Sequence, residues 1–288
     1  MLSQHERHYI QQGMAQNVRN DGRTCEHYRP LKLEVGVLNM TSGSARVKLG
    51  GTEVVVGVKV DIATPSPDAP DAGLAYYDVE ISPLAGPEYL GYAGSELGAS
   101  LAQRLARSMQ AGSDGRGGAV DLTALGIIKG KTCWAMYVDA LVIRVDGNVL
   151  DAVSIAAKAA LADTKLPSIS VTEAEGEDDE PELEVDDDPS ASVRLETPSV
   201  PCIVTVSQAG RSYVVDLCEE EEQCVDASLH IAVTAQGSLR GITKQGSSGI
   251  DLGSLQEMLG IAQRVGPKLI QVVDQHIASG AATAQEED

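Results

Sequence analysis

Hydrophobic and polar positions change period along this chain, from helical spacing to strand alternation and back, twice over. SQHE at 3–6 is a capping-box pattern and predicts a first helix from Ser3 towards Val18. Alternation follows in LKLEVGVL (31–38), SARVKL (44–49) and TEVVVGVKVDI (52–62), which read as consecutive strands. A Pro-, Asp- and Gly-rich loop at 64–73, a short strand near 75–82 and a helix over 95–111 come next. WAMYVDALVIRV (134–145) is apolar enough for the centre of a sheet. The turn VDGN then opens an alanine-rich helix ending near Pro167. Beyond an acidic stretch, CIVTVSQ (202–208), RSYVVDL (211–217), LHIAVTA (229–235) and SLRGITK (238–244) predict four strands in meander order. A helical segment over 251–279, broken or kinked at Pro267, closes the pattern. The plan is strands plus helix, an acidic segment, then strands plus helix again: a two-lobed α+β fold.

Composition narrows this picture. The 288 residues are 43% hydrophobic but only 3% aromatic, with no Phe and one Trp, so Val, Leu, Ile and Ala must build the core. No run approaches the roughly eighteen apolar residues of a membrane span, and the start MLSQHERHYI lacks a secretory apolar stretch. Five scattered cysteines without a CxxC pair favour a reducing compartment and speak against structural zinc. The five histidines form no metal-spaced cluster. A soluble intracellular protein is expected.

The net charge of −20 is uneven. Eleven acids and no Lys or Arg lie between Glu173 and Asp188, which leaves −9 for the rest. Such a block repels itself and reads as a solvated disordered loop; it lacks the DxDxDG spacing of a calcium site. There is no P-loop and no GxSxG elbow, and Cys133 beside Trp134 in an apolar strand reads as buried.

A helix start offers free backbone N–H groups to an anion such as phosphate. After VDGN, however, Val149 and Leu150 bring no side-chain donors, and Asp151 would repel the ligand while complementing the helix dipole. Asn148 is expected to cap the helix through its side chain. AVSIAAKAALA is apolar on nearly every face, as in a helix buried between layers.

DGR followed by YRP, then GSARVKLG–TEV, the strand–DG–helix unit, and YVVDLCEEEEQCVDASLHIAVT (213–234) together resemble RNase PH-like proteins, over about residues 4–275. YIQQGMAQNVRNDGR, VDGNVLDAVSIAAKAALADTKLP and PCIVTV are similar to the ribosomal RNA-processing protein 42 type of ring subunit in the eukaryotic RNA exosome. The resemblance implies an RNase PH-like fold of two mixed-sheet lobes with helices packed between and against them. It divides the chain into an N-terminal helix and arm (1–30), lobe 1 (31–172), an acidic disordered loop (173–197), lobe 2 (198–279) and a tail (280–288). It implies as partners a six-member ring of such subunits around a pore for single-stranded RNA, RNA-binding cap proteins and a catalytic exosome nuclease. Work in nucleus, nucleolus and cytoplasm follows, with no membrane role and no cofactor.

Active relatives hold phosphate with an Arg and a Thr–Arg pair, and a metal with paired acids. The resemblance places the Thr–Arg pair at Val149 and Leu150, the other Arg at Ala99 or a neighbour, and the acids at Asp216 and Glu222. With the donors gone and one acid altered, the expectation is a non-catalytic structural subunit supporting 3′-to-5′ RNA processing, with no metal site. Alternatives are an active phosphate-dependent exoribonuclease and a free-standing RNA-binding protein. Arg104, Arg107 and Arg116 form the best basic cluster for an RNA backbone, the first two sharing a helix face. Tyr76, Tyr77, Tyr89 and Tyr92 could stack bases, or fill core and subunit contacts.

Overall fold

Alternating valines in the first half lock a single sheet. The computed structural model describes residues 2–110, 117–172, 182–185 and 192–284. After helix α1 (Gln4–Ala15), β1 (Leu31–Val35), β2 (Gly43–Leu49) and β3 (Thr52–Ala63) run antiparallel. Ser3 Oγ accepts from the Glu6 N–H, and the Glu6 carboxylate accepts from the Ser3 N–H, as the capping box predicts. Leu49 pairs with Thr52 across a two-residue turn in which Gly50 takes φ +58°, a left-handed conformation that a side chain would strain. The chain continues through β4 (Leu74–Ile81), α2 (Tyr92–Met109), β5 (Gly126–Ile128) and β6 (Thr132–Arg144). The sheet order is β1-β2-β3-β6-β4, with β5 also on β6, and β4 is parallel to β6 because α2 carries the chain across. Val47, Val54, Val56, Val58, Val138 and Val142 point to one face and are fully buried.

Against that face lies α3 (Val149–Asp163), whose residues 150–161 are all buried. It touches β2 and β3 on one side and β11 (Cys202–Ala209) on the other. With β12 (Ser212–Val215), β13 (Ala227–Val233) and β14 (Leu239–Gln245), β11 forms a sheet of order β12-β11-β13-β14. The expected meander is therefore wrong. β12 ends after four residues, where Asp216 takes φ +48° and turns the chain into the one-turn α4 (Glu219–Glu222). The strand that follows returns to the other edge of β11.

Two further expectations need correction. Pro267 does not break the last helix: α5 runs Leu252–Ala284. Met258, Ala262, Val265, Leu269 and Val273 bury one stripe on both sides of the proline, and that packing offsets the lost backbone bond. Nor is all of 173–197 unpaired. β8 (Ile169–Thr172) pairs with β9 (Glu182–Val185), and β7 (Lys165–Leu166) with β10 (Val193–Arg194). In register, Val171 pairs with Leu183 and Ile169 with Val185. The rest of the acidic run lies outside the described residues, as does the tail beyond 284.

One core cluster runs from the β2–β3 valines through α3 to β11, β13 and α5, so the two sheets share an interior. A smaller cluster, with Ile10, Met14, Cys25, Val214, Leu217 and Cys224, holds α1 against β12 and the α4 turn.

At Gly98 on α2, an added Cβ would lie 2.4 Å from the carbonyl oxygen of Val79 on β4. Gly98→Ala should therefore push α2 off the sheet and cost about 2 kcal/mol, lowering the thermal midpoint by roughly 4–8 °C. Calorimetry on the purified variant measures this, and an unchanged midpoint would contradict the close approach.

Candidate functional site

The site begins at the turn before α3. An added Cβ at Gly147 would lie 2.6 Å from the backbone of Leu217 and Cys218, so only glycine lets this turn press against the segment leading into α4. That approach brings the start of α3 onto the acids of α4. The N–H of Asn148 donates to Glu222 Oε1 at 2.7 Å. An N–H that could meet an outside anion is held by the chain's own carboxylate. Asn148 does not cap the helix through its side chain as expected. Its backbone is left-handed, and its amide Nδ2 instead donates to Asp151 Oδ2 (3.0 Å) and Asp216 Oδ1 (2.9 Å).

Asp216 is completely buried and surrounded by donors. Arg29 gives it a backbone N–H at 2.6 Å and its guanidinium at 2.8–3.2 Å, and Arg23 Nη1 adds a contact at 3.0 Å. Burial works against the charge on Arg29, but the bonds to Asp216 outweigh it and raise the arginine's pKa. Arg29 also reaches the carbonyls of Asp146 and Gly147, tying the turn before α3 to the same point. Beside it, Arg19 pairs with buried Glu221 and bonds the carbonyls of Val215 and Asp216. Matched by the resemblance to one of the acids that hold a metal in active relatives, Asp216 is here the centre of a buried ion-pair cluster.

A second polar chain leads from Asp151 to the cavity. Asp151 is also fully buried, and it accepts from Tyr28 Oη (2.7 Å), the Thr205 N–H (3.0 Å) and Thr205 Oγ1 (2.6 Å). Burial outweighs these bonds and pushes its pKa up to about 6. Because Thr205 gives its proton to Asp151, its oxygen accepts from His230 Nδ1 at 2.8 Å. His230 Nε2 then faces Arg104 Nη1 at 3.1 Å. Burial, with Arg104 adding to it, lowers the His230 pKa to about 4, although Gln245 Oε1 at 2.8 Å favours the protonated ring.

These groups border a cavity of about 330 Å³. Val149 and Leu150 line it, as do Glu222, Arg104, Thr205 and His230. Asp216 lies behind Asn148, away from the lining. Ala99 is exposed and does not border the cavity; from α2 come Leu97, Leu101 and Arg104. Arg104 donates to Gln245 Oε1 at 2.6 Å, so it is engaged within the chain, whereas Arg107 is exposed. Arg116 lies outside the described residues. Of the tyrosines, Tyr89 lines the cavity, Tyr77 packs against the core, and Tyr76 and Tyr92 are exposed. Among the described residues no group of three or more His, Cys, Asp or Glu is placed to hold a metal ion, and no helix is long and apolar enough to cross a membrane.

Profiles of known families match both halves: domain 1 of the 3′ exoribonuclease family, RNase PH, over residues 27–167, and its domain 2 over 199–265. The chain belongs to this RNase PH family. A Dictyostelium discoideum protein provisionally named exosome complex exonuclease RRP42 is 31% identical, the alignment covering 95% of this chain and 97% of that one. Exosome complex component Rrp42 of Methanopyrus kandleri is 32% identical over 85% of this chain and 86% of its own length. Among solved structures, a chain of the Archaeoglobus fulgidus exosome with RNA bound to the active site superposes with TM-score 0.75 at 33% identity, covering 92% of this chain and 96% of that one. A chain of an archaeal exosome core gives 0.71 at 31%, with 93% and 96% covered. These matches bear out the RNase PH-like α+β fold.

Residues that sequence reasoning missed are Arg19, Arg23, Arg29, Tyr28, Thr205 and His230. DGR and YRP stood out as motifs, but nothing local reveals that their arginines meet an acid almost two hundred residues away.

Removing one partner of a buried pair leaves the other charge uncompensated. Asp216→Asn should therefore destabilise by about 3–5 kcal/mol, read by urea unfolding, and a loss below ~1 kcal/mol would show the cluster to be dispensable. The two titrating groups have opposite signs. Asp151, raised to about 6, contributes stability below its usual 3.8 that is lost as pH rises to 6. His230, lowered from 6.5 to about 4, contributes stability above 6.5 that is lost as pH falls to 4. His230→Gln should remove only the acid-side loss, by up to ~3 kcal/mol. Between pH 7 and 4.5 the variant's melting temperature should fall less than the parent's, and parallel profiles would refute the assignment.

Proposed function

We propose that this chain is a non-catalytic subunit of an RNA exosome core ring, supporting 3′-to-5′ RNA processing and degradation by completing the ring and channelling single-stranded RNA. The observation that carries this reading is the Glu222 carboxylate on the Asn148 N–H, beside Val149 and Leu150. Phosphorolysis needs an inorganic phosphate held with its oxygens bonded, next to a metal that stabilises the leaving group. Here a negative charge already faces the helix start, and the adjacent side chains are apolar. Asp216 spends both oxygens on Arg29, Arg23 and Asn148, which leaves little for a metal.

Support for the ring comes from the names of the relatives, which are exosome components, and from likeness to chains of archaeal exosome cores over nearly the whole length. Other RNase PH-like subunits, cap RNA-binding proteins and a separate catalytic nuclease are the partners this role requires. Nucleus, nucleolus and cytoplasm are the places where such a eukaryotic ring would work. RNA contact from α2 rests on Arg107, since Arg104 is engaged by Gln245, and on Arg116, which follows α2 in the sequence and lies outside the described residues.

The purified chain, incubated with poly(A), Mg²⁺ and inorganic phosphate, should release no ADP. Release of ADP, abolished by Glu222→Ala, would replace this reading with that of an active phosphorolytic exoribonuclease. Affinity purification from cells should recover other RNase PH-like chains together with cap proteins, and recovery of the chain alone would overturn the ring assignment.

A further inference from the structure

The open face of the six-stranded sheet, opposite α3, carries a feature unrelated to the cavity. Tyr76 on β4 and Tyr137 on β6 lie in register and stack, ring centroids 5.2 Å apart with planes 19° from parallel. They are 49% and 39% exposed. Two residues on, exposed Asp78 and Asp139 face each other, and two further on Glu80 faces Leu141, which is 41% exposed. The two-residue strand period puts all six on one surface.

Left in water, this surface is a poor arrangement. Like charges directly opposite across a strand pair, about 5 Å apart, repel. Among the described residues no ion pair involves Asp78, Glu80 or Asp139. The base nearest in register is exposed Lys59 on β3, opposite Tyr137. Charge decides between occupants. A single-stranded RNA could stack its bases on the tyrosines, but its phosphates would run past three carboxylates. A second copy meeting this face about a two-fold axis would set acid against acid in a chain of net charge −20.

We propose that this face docks an arginine-bearing segment of a different protein, with a guanidinium lying on the Tyr76–Tyr137 stack and its N–H groups on Asp78 and Asp139. A planar guanidinium stacks on an aromatic face and forks onto carboxylates at once, which an ammonium does not. The aliphatic stem of the same side chain finds Leu141 alongside. The inference stands whether or not the chain works in a ring, because it uses only the sheet.

The test replaces Tyr76 with the photo-reactive p-benzoylphenylalanine in the full chain, irradiates cells, and maps the attached peptide by mass spectrometry. The expected product is a segment of another protein with an arginine within a few residues of the linkage. Its yield should fall about tenfold when Asp78→Asn and Asp139→Asn are combined, as losing a charged pair implies. Attachment to RNA, to a second copy or to a segment without arginine would overturn the proposal, as would no attachment or a yield unchanged by the double substitution. In a second arm, the purified chain should bind a short arginine-bearing peptide about fivefold more tightly than its lysine counterpart, a preference lost in Tyr137→Ala. Equal binding of the two peptides would mean unspecific attraction to an acidic chain and would sink the idea.

Discussion

The bond between Arg29 and Asp216 is the constraint on which the site depends. A carboxylate with no exposure persists as an ion inside a protein only when donors replace its water. Here five side-chain and backbone N–H groups converge on it from three separate stretches of the chain. Arg29 anchors the arm entering β1, Arg23 anchors the turn before it, and Asn148 belongs to the start of α3. Through one carboxylate, three stretches of chain are held at the end of β12. The left-handed backbone of Asp216 is part of the same arrangement, since it turns the strand into α4 and aims Glu222 at Asn148.

From this follows the electrostatic character of the cavity. In an anion site at a helix start, the protein supplies N–H groups and leaves the negative charge to the ligand. In this chain the protein supplies both halves. Glu222 satisfies the Asn148 N–H, while Asp151, further into the same turn, is satisfied by Tyr28, Thr205 and Asn148. His230 and Arg104 close the other wall and are themselves bonded to Thr205 and Gln245. The polar groups around the cavity are largely spoken for by one another.

Much of the fold could be read from periodicity. The β2–β3 hairpin, the central β6 and the all-round apolar α3 are written in local alternation and composition. What escaped was non-local. The return of β13 to β11 depends on the φ of Asp216, which no spacing reveals. The continuity of α5 through Pro267 depends on a buried stripe on both sides of it. At the site, Val149, Leu150 and Glu222 were found at the cavity because the resemblance pointed to them. The buried role of Asp216 was not legible, because an acid in a motif does not say whether its partner is a metal or an arginine from the other end of the chain.

The separation between those partners has a consequence for synthesis. Arg29 and Asp216 are 187 residues apart, so the arm leaves the ribosome long before the acid it needs. Chains emerge at about 5–20 residues per second, which leaves the guanidinium waiting on the order of ten seconds or more. During that wait the first sheet can form, yet α3 lacks the strands of the second half that cover its other side. From the completion of α3 at Asp163 until β11 and β13 follow, the nascent chain therefore carries a largely apolar helix with one side uncovered. Contacts of such long reach also slow folding, because loop closure must precede their reward. A chain built this way keeps one side of its central helix uncovered until its last third arrives.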